Sequence, residues 1–180
     1  FLLADSQIIV VIPEPTSIEN AYRFIKNSFF RQIFHNSKNY GLKSVVTPIL
    51  HKDNSYNVNT PKELIDYLNK LGGSATVFIE EQLQLFKPKM ILNQVRTERG
   101  QLVGPAMKAA CSKYFNLNIK FMGYIAEDES VWKSVLDRKP LAVAHPDGVP
   151  IQQLKKICAD ILLEETDGAA KNNLLSQLAL

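Results

Sequence analysis

The stretch Met90-Ile91-Leu92-Asn93-Gln94-Val95 runs three apolar residues straight into two neighbouring carboxamides, with Arg96 directly behind. A carboxamide presents an acceptor and two donors side by side, which complements the donor and acceptor edge of a base such as adenine. Two other apolar stretches run out in polar tips, Ile125-Ala126-Glu127-Asp128 and Pro13-Glu14-Pro15-Thr16. Where such stretches are parallel strands, their carboxyl ends form the rim at which open α/β sheets bind ligands. Local capping accounts for the same residues without any ligand: Asn93 for a loop amide or the next helix, Asp128 and Thr16 for helix N-termini.

Other chemistries find less support. No Gly-rich stretch has the GxxxxGK[ST] pattern that cradles phosphates, and no Ser sits in a nucleophile elbow. Gly72-Gly73-Ser74 lacks the Lys and the preceding strand, and reads as a helix break. Cys111 and Cys158 stand far apart with no second thiol or His at metal spacing, so neither a disulfide framework nor a zinc site is suggested and a reducing cytosol fits. His35, His51 and His145 are isolated and read as surface or loop residues. Lys plus Arg number 21 against 18 Asp plus Glu. The two signs are mixed along helices, which describes a solvated surface rather than a nucleic-acid stripe.

The elements that must position the polar tips follow from periodicity. Ser6 to Ile12 is a β-branched run closed by Pro13 and Pro15, and an apolar run without alternation predicts a central strand buried on both faces. Thr16-Ser17-Ile18-Glu19 matches a capping box, which starts a helix at about Ser17. Ile18, Tyr22, Ile25, Phe29 and Ile33 recur at helical spacing. Phe24, Phe30 and Phe34 widen that stripe, so the helix is expected to be packed under something. Asn36 to Asn59 reads as a long loop. Thr60-Pro61-Lys62-Glu63 is a second capping box, opening a helix that Gly72-Gly73 stops, and Ser74 to Phe86 is another helix.

Pro88 to Val95 is the second strand, followed by a helix from about Gly100 to Phe115. Asn118 to Ile125 is the third strand. Asp128 caps a short helix in which Trp132 reads as a core anchor, Pro140 to Val143 is a brief fourth strand, and a last helix covers Ile151 to Leu163. Strands alternating with helices predict an α/β three-layer sandwich with a mostly parallel sheet. The longest apolar run, Ile8 to Ile12, is far short of the roughly 20 residues of a spanning helix. Phe1 to Ala4 lacks the features of a signal peptide and reads as the tail of an element that begins upstream. In the tail, residues 164–180, Leu174, Leu175 and Leu178 share a helical face, but with Lys171 the one basic residue there it is a poor membrane anchor, and a frayed or partner-pairing end is expected.

Taken together, Ala4-Asp5-Ser6-Gln7-Ile8-Ile9-Val10-Val11, Pro13-Glu14-Pro15-Thr16-Ser17 with Ala21-Tyr22, Asn93-Gln94-Val95, and Gly123-Tyr124-Ile125-Ala126-Glu127-Asp128 with Val131-Trp132 and Arg138-Lys139-Pro140-Leu141 form an ordered set of motifs. In that order they resemble the MinD/ParA family of P-loop ATPases, particularly its MinD-like and FlhG-like members. The resemblance covers about residues 1–34 and 87–163, with a helical insertion at about 39–87. It implies that Asn93, with Gln94 beside it, hydrogen-bonds the adenine base, and that Ile125, Ala126 and Asp128 line the base pocket. The family usually carries Pro where this chain has Ala126. It further implies that Glu14 and Thr16 face the nucleotide of the other subunit in an ATP-bound homodimer.

The family's deviant Walker loop, switch I Asp and DxxxG switch II are absent from the 180 residues and would lie upstream, so the chain resembles the C-terminal half of such an ATPase. ATP and magnesium are then expected in the complete protein and not on this chain alone, which is expected to hydrolyse nothing. An activator protein and a peripheral place at the inner membrane are further implications. The alternative reading is a non-catalytic α/β interaction module whose insertion, Tyr40 to Phe86, receives a protein partner. Nucleic-acid binding through Lys108, Lys113, Lys155 and Lys156 is the least favoured, because the chain has no basic stripe with interleaved aromatics.

Overall fold

The computed structural model describes the backbone of residues 1–50 and 56–178 and the side chains of residues 1–50 and 56–164. Three strands, β1 (Ile8–Val11), β2 (Lys89–Val95) and β3 (Lys120–Ala126), form one parallel sheet in the order β1-β2-β3. The register pairs Ile9 with Met90 and Val11 with Leu92, and Lys89 with Lys120. Parallel pairing needs a crossover between successive strands. Between β1 and β2 run α1 (Pro15–Asn36), α2 (Lys43–Leu50), α3 (Pro61–Leu71) and α4 (Ser74–Leu85). Between β2 and β3 run α5 (Glu98–Gln101) and α6 (Val103–Ala110), and after β3 come α7 (Glu129–Leu136), α8 (Leu141–Ala144) and α9 (Val149–Leu178).

Alternation along the strands sorts the core into two faces. Ile9, Val11, Met90 and Leu92 point to the face packed by Ala21, Ile25 and Phe29 of α1 and Met107 of α6. Ile91 and Met122 point the other way, against Ile157 of α9. Helices therefore cover both faces of β2 and β3, the layered α/β arrangement expected. Over β1 the second layer stops: Ile8 and Val10, the alternate residues, are 38% and 59% exposed. The expectation of a strand buried on both faces is thus corrected, because α9 crosses β3 rather than β1.

Several local expectations change for identifiable reasons. The helix after β1 begins at Pro15, with Glu14 as N-cap in extended conformation and no side-chain cap. The Thr16 box does not form, because Thr16 already lies inside the helix; the Ser17 hydroxyl accepts the backbone N–H of Ile12 (3.1 Å) and Glu19 pairs with Arg23. The segment read as a long loop contains a 3-10 turn at Ser37–Tyr40 and the helix α2, whose Val46 and Ile49 are fully buried. The part of that expected loop at residues 51–55 lies outside the described residues. The helix expected from Gly100 is broken at Leu102, since Pro105 has no N–H to offer the Gln101 carbonyl. It ends in a π turn at Cys111–Phe115.

Pro140 to Val143 is not a fourth strand but leads into α8, with the N–H groups of Ala144 and His145 bonding back to the carbonyls of Pro140 and Leu141. A four-residue apolar run carries no period that separates strand from helix. Trp132 is not a core anchor: it is 53% exposed, and Ser134 is the buried residue of α7. Phe24 and Phe34, expected under cover, are exposed as well. The tail is helical in backbone to Leu178; the side chains of Leu174, Leu175 and Leu178 lie outside the described residues.

The insertion shares its core with the sheet rather than standing apart. Leu64, Ile65 and Leu68 of α3 and Phe78 and Ile79 of α4 belong to the same cluster as Ile25 and Met90. Gln82 ties α4 to α1, its carbonyl and side-chain oxygen accepting from Gln32, and its side-chain oxygen accepting from Asn36 (2.6 Å). At α3 the expected capping box is complete: Thr60 accepts from the Glu63 N–H, and the Glu63 carboxylate accepts from the Thr60 N–H. Gly72 and Gly73 stop the helix at φ of 68° and 55°, where a side chain would be strained. Thr60→Ala is expected to lower stability by about 0.5–2 kcal/mol in denaturant unfolding. A midpoint unchanged from wild type would show that the box contributes nothing.

Candidate functional site

The three polar tips do meet at the carboxyl edge of the sheet. The register pairs Val95 with Ala126, so the ends of β2 and β3 lie side by side, and β1 ends beside β2. Between Leu92 and Val95 the ladder is irregular: β2 spends three steps where β3 spends two. Leu92 and Val95 both return to the same buried cluster, so Asn93 and Gln94 are the residues accommodated by this bulge. Gln94 takes a φ of 56°, a left-handed conformation that glutamine rarely adopts. The chain holds this strained turn at the position where the sequence changes from apolar to amide. Bulges of this kind re-aim side chains at sheet ends.

Asn93 is half-buried, follows Ile91 in alternation on the α9 side of the sheet, and makes no side-chain hydrogen bond with a described residue. The helix it was a candidate to cap, α5, is capped by Thr97, whose hydroxyl accepts the Gly100 N–H (3.1 Å). Asp128, by contrast, does act as a cap, accepting the Ser130 N–H at 2.8 Å. Ile125 and Ala126 are half-buried beside it, and the Ala126 N–H donates to Oε1 of Gln153 from α9 (2.7 Å). Glu14 and Thr16 are exposed at the end of β1.

Two groups at this rim were not assigned from sequence. Arg96 and Glu127 form a bidentate pair, Nε and Nη2 each donating to a different carboxylate oxygen (Nη2 to Oε1, 2.9 Å), which staples the end of β2 to that of β3. The pair raises the Arg96 pKa, Glu127 being the main cause and Glu14 a smaller one. Opposite charges just beyond two strand ends were the available signal. Gln153 left none, because a polar residue on a helix is unremarkable.

The Asp128 carboxyl is held below the usual carboxylate range, chiefly by its hydrogen bonds to Ser130, with His145 and Lys133 adding favourable charge. A lowered folded-state pKa contributes stability that is present above the unfolded pKa and is lost as pH falls through the folded one. Asp128→Ala should therefore be less stable than wild type at neutral pH, with the gap closing below about pH 4. Unfolding midpoints measured across pH would contradict this if the gap stayed constant into the acid range.

The remaining reactive groups lie elsewhere. The Cys111 thiol is buried and pushed up to about 12 by burial, which leaves it inert, and Cys158 is exposed on α9. Among the described residues no three His, Cys, Asp or Glu side chains converge as a metal site, and no helix is long and apolar enough to cross a membrane. Of the candidate DNA-contacting lysines, Lys113 lies over the Tyr114 ring and Lys155 donates to the Pro146 carbonyl. His51 lies outside the described residues. In sequence comparison with known proteins, no family and no curated protein matches the chain.

Proposed function

We propose that the rim of Asn93, Gln94, Ile125, Ala126 and Asp128 takes the base of an adenine nucleotide, and that the chain is the base-binding part of an ATP-switched dimeric ATPase of the MinD/ParA type. The observation that carries the reading is the bulge at Asn93 and Gln94. It sets a half-buried carboxamide at a strand end, with the neighbouring caps supplied by Thr97 and Asp128 and the Asn93 side chain making no hydrogen bond with a described residue. Ile125 and Ala126 offer an apolar wall to a base plane, and the Arg96–Glu127 pair fixes the spacing of the two strand ends.

Phosphates and magnesium are assigned to polypeptide outside these 180 residues, which hold no phosphate-binding loop. The open edge of β1 and the exposed Ile8 and Val10 support this, because a further strand would pair with that edge and a helix joining it would lie over those side chains. Glu14 and Thr16, exposed at the end of β1, are then available to a second subunit. The test is competition between ATP and its purine analogue lacking the 6-amino group, on the natural gene product that contains this chain. Loss of that donor leaves the Asn93 oxygen unpaired and is expected to weaken binding about tenfold or more. Equal affinity for the two nucleotides would contradict the base assignment.

A further inference from the structure

A groove of ≈ 470 Å³ lies between α1 and α2, remote from the strand ends, lined by Asn27, Phe30, Arg31, Phe34, Thr47 and Leu50. Phe34 is exposed there although it belongs to the stripe that the sequence places under cover. The Thr47 hydroxyl is already satisfied by the Lys43 carbonyl, so the groove offers apolar surface, the Asn27 carboxamide and one guanidinium. Arg31 is exposed and makes no ion pair with a described residue. The stretch that supplies the groove is one-sided in charge: from Asn20 to Leu50 the chain carries Arg23, Lys26, Arg31, Lys38 and Lys43 and no carboxylate at all. The rest of the chain mixes its signs.

The geometry points to a docking site for an acidic peptide segment of a protein partner, one that sets a bulky apolar side chain between Phe30, Phe34 and Leu50 and an Asp or Glu against Arg31. Charge complementarity selects the acidic class, and the concavity selects a side chain as occupant. A bilayer meets apolar residues that stand proud of a surface, whereas Phe30, Phe34 and Leu50 line a depression. The arrangement is the helix-groove mode of peptide recognition, in which apolar anchors give affinity and flanking charge gives orientation and encounter rate. It is independent of the nucleotide reading, since none of its residues lies at the carboxyl ends of the strands.

The test is a selection of random displayed peptides on the natural gene product that contains this chain, followed by affinity measurement with the selected synthetic peptide. Enriched sequences are expected to combine Leu, Ile or Phe with adjacent Asp or Glu. Arg31→Glu should weaken the synthetic peptide at least tenfold, and a peptide with Lys in place of the acid should recover binding to that variant. Phe34→Ala, at an exposed position and so compatible with folding, should weaken it similarly, with an unchanged circular dichroism spectrum as control. No enrichment, enrichment without the acidic and apolar pattern, or affinity indifferent to both substitutions would overturn the proposal. Sedimentation with phosphatidylglycerol vesicles that depends on Arg31 and Phe34 would overturn it in favour of a membrane surface.

Discussion

Phe29→Ala is expected to lower the free energy of unfolding by about 3–5 kcal/mol, the largest effect of any single truncation considered for this chain. Phe29 is fully buried on α1, and its ring meets Phe86 edge-on at 5.3 Å and 68°. It stands where three parts of the fold share one core: Ile9 and Val11 of the sheet, Ile25 and Ile33 of its own helix, and Leu64, Phe78 and Ile79 of the insertion. Truncation removes the transfer free energy of the ring and leaves a cavity among groups held by separate elements, which restricts collapse. It also removes an aromatic pair contributing about 0.5–1.5 kcal/mol beyond its area. Chemical denaturation checks the value. A loss under 1 kcal/mol would mean that insertion and sheet do not share this core.

Asn93→Ala is expected to weaken ATP binding to the natural gene product by roughly 1–3 kcal/mol, about 5- to 150-fold in dissociation constant, with little change in stability. The stability half follows from the structure, because the Asn93 side chain makes no hydrogen bond with a described residue and so leaves none broken. The binding half follows from the proposed pairing with the base edge. The two substitutions, protein and nucleotide, form a cycle. In Asn93→Ala the penalty for removing the 6-amino group should vanish, since both changes delete the same contact. Additive penalties would place the base elsewhere. Gln94→Ala and Gln94→Gly are the companion variants: both delete the second amide, but only glycine relieves the left-handed backbone, so the pair separates strain from recognition.

How legible the fold was depended on whether a segment's signal was local. The Thr60 box, the Gly72-Gly73 stop and the Asp128 cap were readable because each is decided within two or three residues: Thr60 and Asp128 by a side chain accepting a nearby backbone amide, the glycines by their positive φ. The strand β1 was readable as a strand but not in its cover. Ile8-Ile9-Val10-Val11 specifies two apolar faces, whereas what lies over each is set by where α9 crosses. The helix α2 escaped notice because Asn, Ser and Lys around it mimic a loop, and its Val46 and Ile49 find their partners only in α1 and beyond. Trp132 illustrates the same limit, since size predicts burial only if an element arrives to bury it.

At the candidate site the tips themselves were visible in the sequence, but their geometry was not. That Asn93 and Gln94 sit in a bulge depends on the pairing of β2 with β3, and glutamine carries no preference for the conformation that Gln94 adopts. The same pairing brings Arg96 to Glu127 across 31 residues of sequence, beyond the reach of any local pattern.

Base binding at Asn93 is decided by an equilibrium titration of ATP with magnesium into the natural gene product of known intact mass, beside the 180-residue chain and the Asn93→Ala variant. The account predicts saturable binding to the natural product, weaker binding to the variant, and no measurable binding to the isolated chain, whose sequence lacks a phosphate-binding loop. A natural product that binds no ATP, or one that binds it equally well with alanine at position 93, would contradict it.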